Sequence, residues 1–295
     1  MKTLGIDLGG THLRAAVFDG ATKLAEHREL VGEPRDPEKI TARVAELAMQ
    51  LGADAVGVGI AAMLGDAHGT VANSPHLRWR DVPFGELLAA RLPRDMPLGI
   101  YNDVNAITWG ETCAGAARGC RDVLAVYVGT GIGAGVVANG ELITGASQTA
   151  GELGHAKVRW GDDAEPCACG QRGCLEAYLG GSYLERRYGA VASELDHAAA
   201  AGDSEALARW TELATLFAVV LGNAIAVLNP ERLVLGGGVL ARCPMLVELT
   251  EAALELAAPR ACLEQLAVVT GELGDDAGLV GAADLVTSRA FRRGS

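Results

Sequence analysis

The chain has 295 residues, nearly half of them hydrophobic, which is enough for two cores of roughly 100–200 residues each. A formal net charge of −12 and an aromatic content of 4% exclude a basic nucleic-acid surface, a base-stacking platform and attraction to an anionic membrane. They do not exclude a phosphate ligand, which backbone N–H groups and a metal ion hold locally whatever the total charge.

Met1-Lys2-Thr3 leads straight into a strand-like run, without the features of a signal peptide. No apolar stretch reaches about 18 residues without a polar break, so a cytoplasmic protein is expected. Of seven cysteines, only Cys167, Cys169 and Cys174 cluster, and in a cytosol that favours metal binding over disulfides.

In chain order, the apolar runs Leu4–Leu8 and Leu13–Phe18, with a weaker run near Leu30, predict three strands separated by Gly9-Gly10-Thr11 and Asp19-Gly20. Asp7 ends the first strand. The glycines after it allow backbone N–H groups to approach an anion closely, so the turn reads either as a phosphate site or as an ordinary hairpin. A helix is predicted from Pro37 to Leu51 and a strand over Ala55–Ile60. Residues 61–83, with Gly65, Gly69, Asn73, Pro75 and Pro83, read as loops with a short hairpin. A short amphipathic segment (Leu87–Leu92), a strand (Leu98–Tyr101) and a helix from Val104 to about Ala117 follow. Asn102-Asp103 lies at the strand–helix junction, where α/β proteins bind ligands, and Asp103 reads either as a functional carboxylate or as a helix N-cap.

The opening pattern then recurs. Val123–Val128, Gly129-Thr130-Gly131, Ala134–Ala138, Asn139-Gly140 and Glu141–Ile143 repeat strand, glycine–threonine turn, strand, Asx-Gly turn, strand. Two halves of similar topology facing each other across a cleft are expected, with the two glycine turns gripping one polyphosphate.

Between Thr149 and Glu176 the chain carries Glu152, His155, Cys167, Cys169, Cys174 and Glu176. One nitrogen and three sulfurs make the ligand set of a closed tetrahedral zinc site, which shapes a loop and performs no chemistry. A long helix over Ser204–Leu228, stopped by Asn229-Pro230, precedes a strand (Arg232–Leu235) that meets Gly236-Gly237-Gly238, a junction with room for a flat ligand. A helix over 246–257, a strand over Leu266–Thr270 and a small-residue helix from Ala277 to Arg289 complete the chain.

Over nearly its whole length the sequence resembles the ROK sugar kinases of the actin-like ATPase superfamily. The resemblance rests on GELGH at 151–155, CACGQRGCLE at 167–176, the motif Asp7-Leu8-Gly9-Gly10-Thr11, Gly129-Thr130-Gly131 and Gly236-Gly237-Gly238. It implies an α/β protein of two actin-like (ribonuclease H-like) domains with an interdomain cleft and a small zinc-bound loop. The first domain would span 1–120, closed by a C-terminal helix at about 277–295, and the second 121–276.

The same resemblance implies an ATP-dependent kinase acting on the 6-hydroxyl of a hexose, with glucose first and another hexose or N-acylated amino-sugar (fructose, allose, N-acetylmannosamine) as the alternative. A non-catalytic sugar-sensing regulator is the alternative of another class. Asp103 would be the general base, with Asn102, Glu152, His155 and Glu176 holding sugar hydroxyls. Asp7, Gly9, Gly10, Thr11, Thr130, Gly131, Gly236, Gly237 and Gly238 would serve ATP and Mg²⁺, while His155, Cys167, Cys169 and Cys174 hold a structural Zn²⁺. Partners would be the hexose and ATP, with no nucleic acid and no membrane, in a homo-oligomer (dimer or tetramer). The sequence departs from the family pattern at Ala61-Ala62-Met63 and at His76, both on presumed sugar-facing loops, so His76 joins the candidate substrate contacts.

Overall fold

A computed structural model describes residues 1–288. Three strands open the chain: β1 (Lys2–Leu8), β2 (His12–Asp19) and β3 (Thr22–Leu30). They pair antiparallel in sequence, with β1 buried almost throughout and β3 alternating between partly covered and exposed positions. The helix α1 (Pro37–Gln50) starts where Asp36 accepts the N–H of Glu38 and Pro37 occupies the first turn. The strand β4 (Ala55–Ile60) is buried at every position and runs parallel to β1.

Residues 61–83 hold more structure than a loop with one hairpin. The strands β5 (Met63–Leu64), β6 (Val71–Ser74) and β7 (Trp79–Val82) form a separate three-stranded antiparallel sheet. The Ser74 hydroxyl, which donates to the Ala61 carbonyl and accepts the N–H of Leu77, ties that sheet to the end of β4. These strands are only two to four residues long, too short for a period to show in the sequence.

The helix α2 (Phe84–Ala89) comes next, then β8 (Leu98–Asn102), parallel to β4, and α3 (Asp103–Cys113). The first sheet therefore has the order β3-β2-β1-β4-β8.

The strands β9 (Val123–Val128), β10 (Ile132–Ala138) and β11 (Glu141–Ile143) repeat the opening meander. The helices α4 (Glu176–Leu179), α5 (Gly181–Tyr188), α6 (Ala192–Ala200) and α7 (Ser204–Leu228) lead to β12 (Arg232–Gly236). After α8 (Pro244–Ala257) and α9 (Arg260–Leu263), β13 (Ala267–Thr270) completes a second sheet of order β11-β10-β9-β12-β13. The two sheets share one topology, strand for strand, so the repeat read in the turns is a repeat of whole five-stranded sheets.

By length and composition α7 could span a membrane, but half of its apolar window is buried inside the protein. Trp210, Leu213, Phe217 and Leu221 are its buried face, and Asp203 and a left-handed Asn229 cap its ends.

Among the described residues the chain divides into two compact units: 1–121 with 135–150 and 271–288, and 122–134 with 151–270. The first unit thus takes in 135–150, which a boundary near 120 would leave in the second. At Gly135 an added Cβ would lie 2.2 Å from the Thr108 hydroxyl, so this strand packs directly on α3. The final helix α10 (Ala277–Leu285) also belongs to the first unit. A Cβ on Gly57 would come 1.9 Å from the Ala282 carbonyl, and one on Gly281 would come 1.8 Å from the Ala106 carbonyl. Backbone meets backbone at both places, which fixes α3, and with it Asp103, against the sheet. The expected extension of this helix beyond Ser288 lies outside the described residues.

Candidate active site and metal centre

In the first unit the candidate residues gather at the carboxyl ends of β1, β4 and β8. Asn102 ends β8, and its side-chain oxygen accepts the N–H of Asn105 at 3.1 Å, so Asn102 is the N-cap of α3. That frees Asp103 from the capping role. The Asn102 amide nitrogen donates to the Ala62 carbonyl at 3.2 Å and to Asp103 Oδ1 at 3.0 Å. The N–H of Val104 also donates to Asp103 Oδ1, at 2.9 Å. Among the described residues no other residue donates a hydrogen bond to Oδ2.

Burial, followed by the charge of Asp7, pushes the Asp103 carboxyl up to about 7, against the opposing hydrogen bonds from Val104 and Asn102. A carboxyl tuned to neutral pH is what a general base requires.

Asp7, next to last in β1, lies opposite Arg14 on β2, and the Arg14 guanidinium forms an ion pair with Asp7 Oδ2. The Gly9 N–H closes the turn on the His12 carbonyl at 3.0 Å. Arg35 donates to the Gly10 carbonyl at 2.8 Å. A Cβ on Gly10 would lie 2.7 Å from the His76 carbonyl, so the loop carrying His76 packs on the glycine turn itself. His76 and Thr11 are exposed.

In the second unit the glycine turn 129–131 is laced to its surroundings. Gly181 donates to the Gly129 carbonyl at 2.8 Å, and the Ser182 hydroxyl donates to the Thr130 carbonyl at 3.0 Å. Glu176 Oε2 accepts the Ile132 N–H at 2.8 Å, and a Cβ on Gly131 would lie 2.5 Å from that oxygen. Glu176 Oε1 stands 4.0 Å from Cys167 Sγ, so one carboxylate joins the second glycine turn to the cysteine loop. At Gly237 the backbone is left-handed (φ +92°), and a Cβ would lie 2.4 Å from the Val128 carbonyl. Gly236 backs onto the Tyr127 ring, and Gly238 faces Arg242.

The donor atoms of His155, Cys167, Cys169 and Cys174 all lie within 4.8 Å of one another. Cys167 Sγ is 3.7 Å from His155 Nδ1, and Cys169 Sγ is 3.7 Å from Cys174 Sγ. Zinc–sulfur bonds of about 2.3 Å give a tetrahedral edge of roughly 3.8 Å, so the set fits Zn²⁺. Burial pushes the Cys167 thiol up to about 11, a cost that a bound dication offsets.

The surrounding residues orient this set. Lys157 Nζ donates to Cys174 Sγ at 3.2 Å and to the Arg172 carbonyl at 2.7 Å. The phenol oxygens of Tyr178 and Tyr183 accept the backbone N–H groups of Glu165 and Ala168, at 3.0 and 2.8 Å. His155 turns Nδ1 to the cysteines and Nε2 to Glu152 Oε2, 3.7 Å away. The Glu152 carboxyl lies above its ordinary range, first through desolvation and then through Glu176, against the lowering effect of His155. With 42% of that side chain exposed, solvent keeps the effect modest.

Comparison with known proteins now decides the family. The profile of the ROK family matches residues 3–289. The chain belongs to the ROK family. It is 32% identical to a glucokinase of Thermotoga maritima, over 98% of each chain. It is 34% identical to an N-acetyl-D-glucosamine kinase of Escherichia coli, over 79% of this chain and 83% of that one. Among solved structures, a ROK hexokinase from Thermus thermophilus superimposes with a TM-score of 0.82 at 31% identity, covering 96% of this chain and 97% of the other.

Within this ROK chain, sequence reasoning passed over Arg14, Lys157, Ser182 and the two tyrosines. Arg14 had a readable signal, because Asp7 and Arg14, one pair outside Leu8 and Leu13, fall opposite each other on a hairpin. Lys157, Ser182, Tyr178 and Tyr183 had none, since their partners are set by loop conformation.

Proposed function

We infer that this chain is an ATP-dependent hexose kinase that phosphorylates the 6-hydroxyl of glucose. The observation that carries the reading is Asp103: half-buried at the carboxyl end of a strand, held through one oxygen, and pushed up to about 7. As the sugar oxygen attacks the γ-phosphorus, Oδ2 accepts the hydroxyl proton and the bond from the γ-phosphorus to the bridging oxygen of ADP breaks, leaving ADP and hexose 6-phosphate. Asn102 acts by aiming Asp103, through its bonds to Oδ1 and to the Ala62 carbonyl.

Asp7 and the turns Gly9-Gly10-Thr11 and Thr130-Gly131 take the Mg²⁺ and phosphate end of the nucleotide, and Gly236-Gly237-Gly238 its adenosine end. Bound Mg²⁺ supplies neutralisation of phosphate charge. Glu152, His155 and Glu176 hold sugar hydroxyls, as carboxylates accept two hydroxyl hydrogen bonds each, and His76 lines the same sugar. The Zn²⁺, held by His155 Nδ1 and the three cysteine sulfurs, takes no part in the chemistry. The protein works in the cytoplasm as a homo-oligomer.

The 34% identity to an N-acetyl-D-glucosamine kinase supports a second reading, in which the acceptor is an N-acylated amino-sugar. A coupled ATPase assay across glucose, mannose, fructose, allose, N-acetylglucosamine and N-acetylmannosamine separates the two. Glucose is expected to give the highest kcat/KM. An N-acetylated sugar ahead of it selects the second reading, and no turnover with any of them rejects both.

A further inference from the structure

We propose that Arg14 is a positioning residue for phosphoryl transfer, fixing the Asp7 carboxylate so that one oxygen stands ready for the metal–nucleotide complex. The proposal rests on the hexose-kinase reading and extends it to a residue outside the sequence motif.

The geometry begins with register. Asp7 and Arg14 are directly opposed on the antiparallel pair β1–β2, on either side of the glycine turn. Their ion pair is sheltered, with 18% of the Asp7 side chain and 21% of the Arg14 side chain exposed. Arg14 is itself anchored: Nη1 donates to the Asp275 carbonyl at 2.9 Å and lies 3.2 Å from Asp275 Oδ2. A guanidinium with two anchors on one side and a carboxylate on the other has lost most of its rotamer freedom before any ligand arrives.

Arg14 occupies only Oδ2 of Asp7. Among the described residues Asp7 Oδ1 has no hydrogen-bond partner, and the chain beside it carries no side chain: a Cβ on Gly278 would lie in van der Waals contact, 3.7 Å from Asp7 Cγ. The arrangement matches the one at Asp103, where Asn102 and Val104 hold Oδ1 and no other residue donates to Oδ2. Both acids at the sheet end are therefore half-tethered carboxylates, each with its own positioning group. Arg14 is to Asp7 what Asn102 is to Asp103. Arg14 also sets a fixed positive charge beside a turn that must admit phosphates into a protein of net charge −12.

Arg14→Met and Arg14→Lys, compared with the unaltered protein, test this. Titration calorimetry with a non-hydrolysable ATP analogue, with and without Mg²⁺, and separately with glucose, gives readouts independent of turnover. Arg14→Met is expected to weaken the Mg²⁺-dependent part of nucleotide affinity about 10-fold or more and to lower kcat by a similar factor, with glucose affinity unchanged. Arg14→Lys should restore part of both, since it keeps the charge but not the two-sided anchor. Unchanged Mg²⁺-dependent affinity in Arg14→Met overturns the proposal. Equal losses for nucleotide and glucose, together with a lowered melting temperature, also overturn it and make Arg14 a structural staple. If the unaltered protein binds neither ligand, the kinase reading itself fails.

Discussion

The Asp103 junction and the cysteine loop hold their functional groups by opposite means. At the junction a carboxylate is fixed by the ordinary grammar of a strand running into a helix: an N-cap, two hydrogen bonds to one oxygen, and a backbone-to-backbone contact behind it. In the loop, 156–175 contains little regular structure, and what fixes His155 and Glu176 is a cross-link of four donor atoms braced by Lys157, Tyr178 and Tyr183. The first design tunes a proton affinity by burial. The second brings rigidity to a segment that could not otherwise hold a hydrogen-bonding group in place. Changes at the junction should therefore act on kcat, and changes in the loop on sugar affinity.

The largest expected effect is at the junction. Asp103→Asn keeps the size and the polar contacts but removes the proton acceptor, so kcat should fall by about 10²–10⁴-fold while glucose affinity, measured by calorimetry, stays within about 3-fold. Retained turnover would assign the base elsewhere. The same substitution reads the burial cost. A carboxyl raised to about 7 is destabilising once ionised: the penalty is absent below about pH 4, grows as pH rises, and is complete above about 7. Asp103→Asn should accordingly melt higher than the unaltered protein at pH 8 and show no such gain at pH 4. With Asp103 as the proposed base, its proton must be off for catalysis, so kcat/KM should rise with pH along a limb centred near 7 that disappears in Asp103→Asn. A limb centred near 4 would mean that Asp103 is not desolvated when the enzyme works.

The contrast also explains what the sequence disclosed. His155, Cys167, Cys169 and Cys174 were legible because a metal demands particular side chains at short spacing, and no other pattern looks like it. The two sheets were legible from paired glycine turns, and α7 from a long apolar period ending at Asn229-Pro230. At Asp103, capping and catalysis were both open, because side-chain type cannot say which of two adjacent residues, Asn102 or Asp103, folds back onto the helix. The three-stranded sheet of 63–82 was legible only as loops with a short hairpin because its strands are too short for a period, and the brace of Lys157 escaped notice because its partners depend on how an irregular loop closes.

Removing the metal gives the intermediate effect. Dialysis against a strong chelator, or Cys167→Ser, should raise the glucose KM about 10-fold or more while kcat at saturating sugar falls less, since His155 Nε2 and Glu176 lose their fixed positions and Asp103 does not. The unaltered protein should carry about one zinc per chain by elemental analysis. A zinc-free protein with an unchanged sugar KM would confine the metal to stability and separate it from the sugar site.

The smallest effect, and the finest test of the loop, is at Lys157. Three thiolates and a neutral imidazole around Zn²⁺ leave one net negative charge, and the Lys157 ammonium, 3.2 Å from Cys174 Sγ, is placed to balance it. Cys174 is fully buried, so that charge has little water to stabilise it, and the ammonium hydrogen bond takes over that task. In Lys157→Met the thiolate keeps its packing but loses its donor, so the zinc–thiolate charge loses the ammonium that balances it. Zinc transfer to a chromogenic chelator at pH 6 should then be about 10-fold faster than from the unaltered protein, and the difference should narrow as pH rises. The glucose KM at pH 8 should hardly move, because the zinc is still in place there. Equal transfer rates at pH 6 would mean that the ammonium is held by the Arg172 carbonyl alone and that the cysteine loop sets its own charge balance.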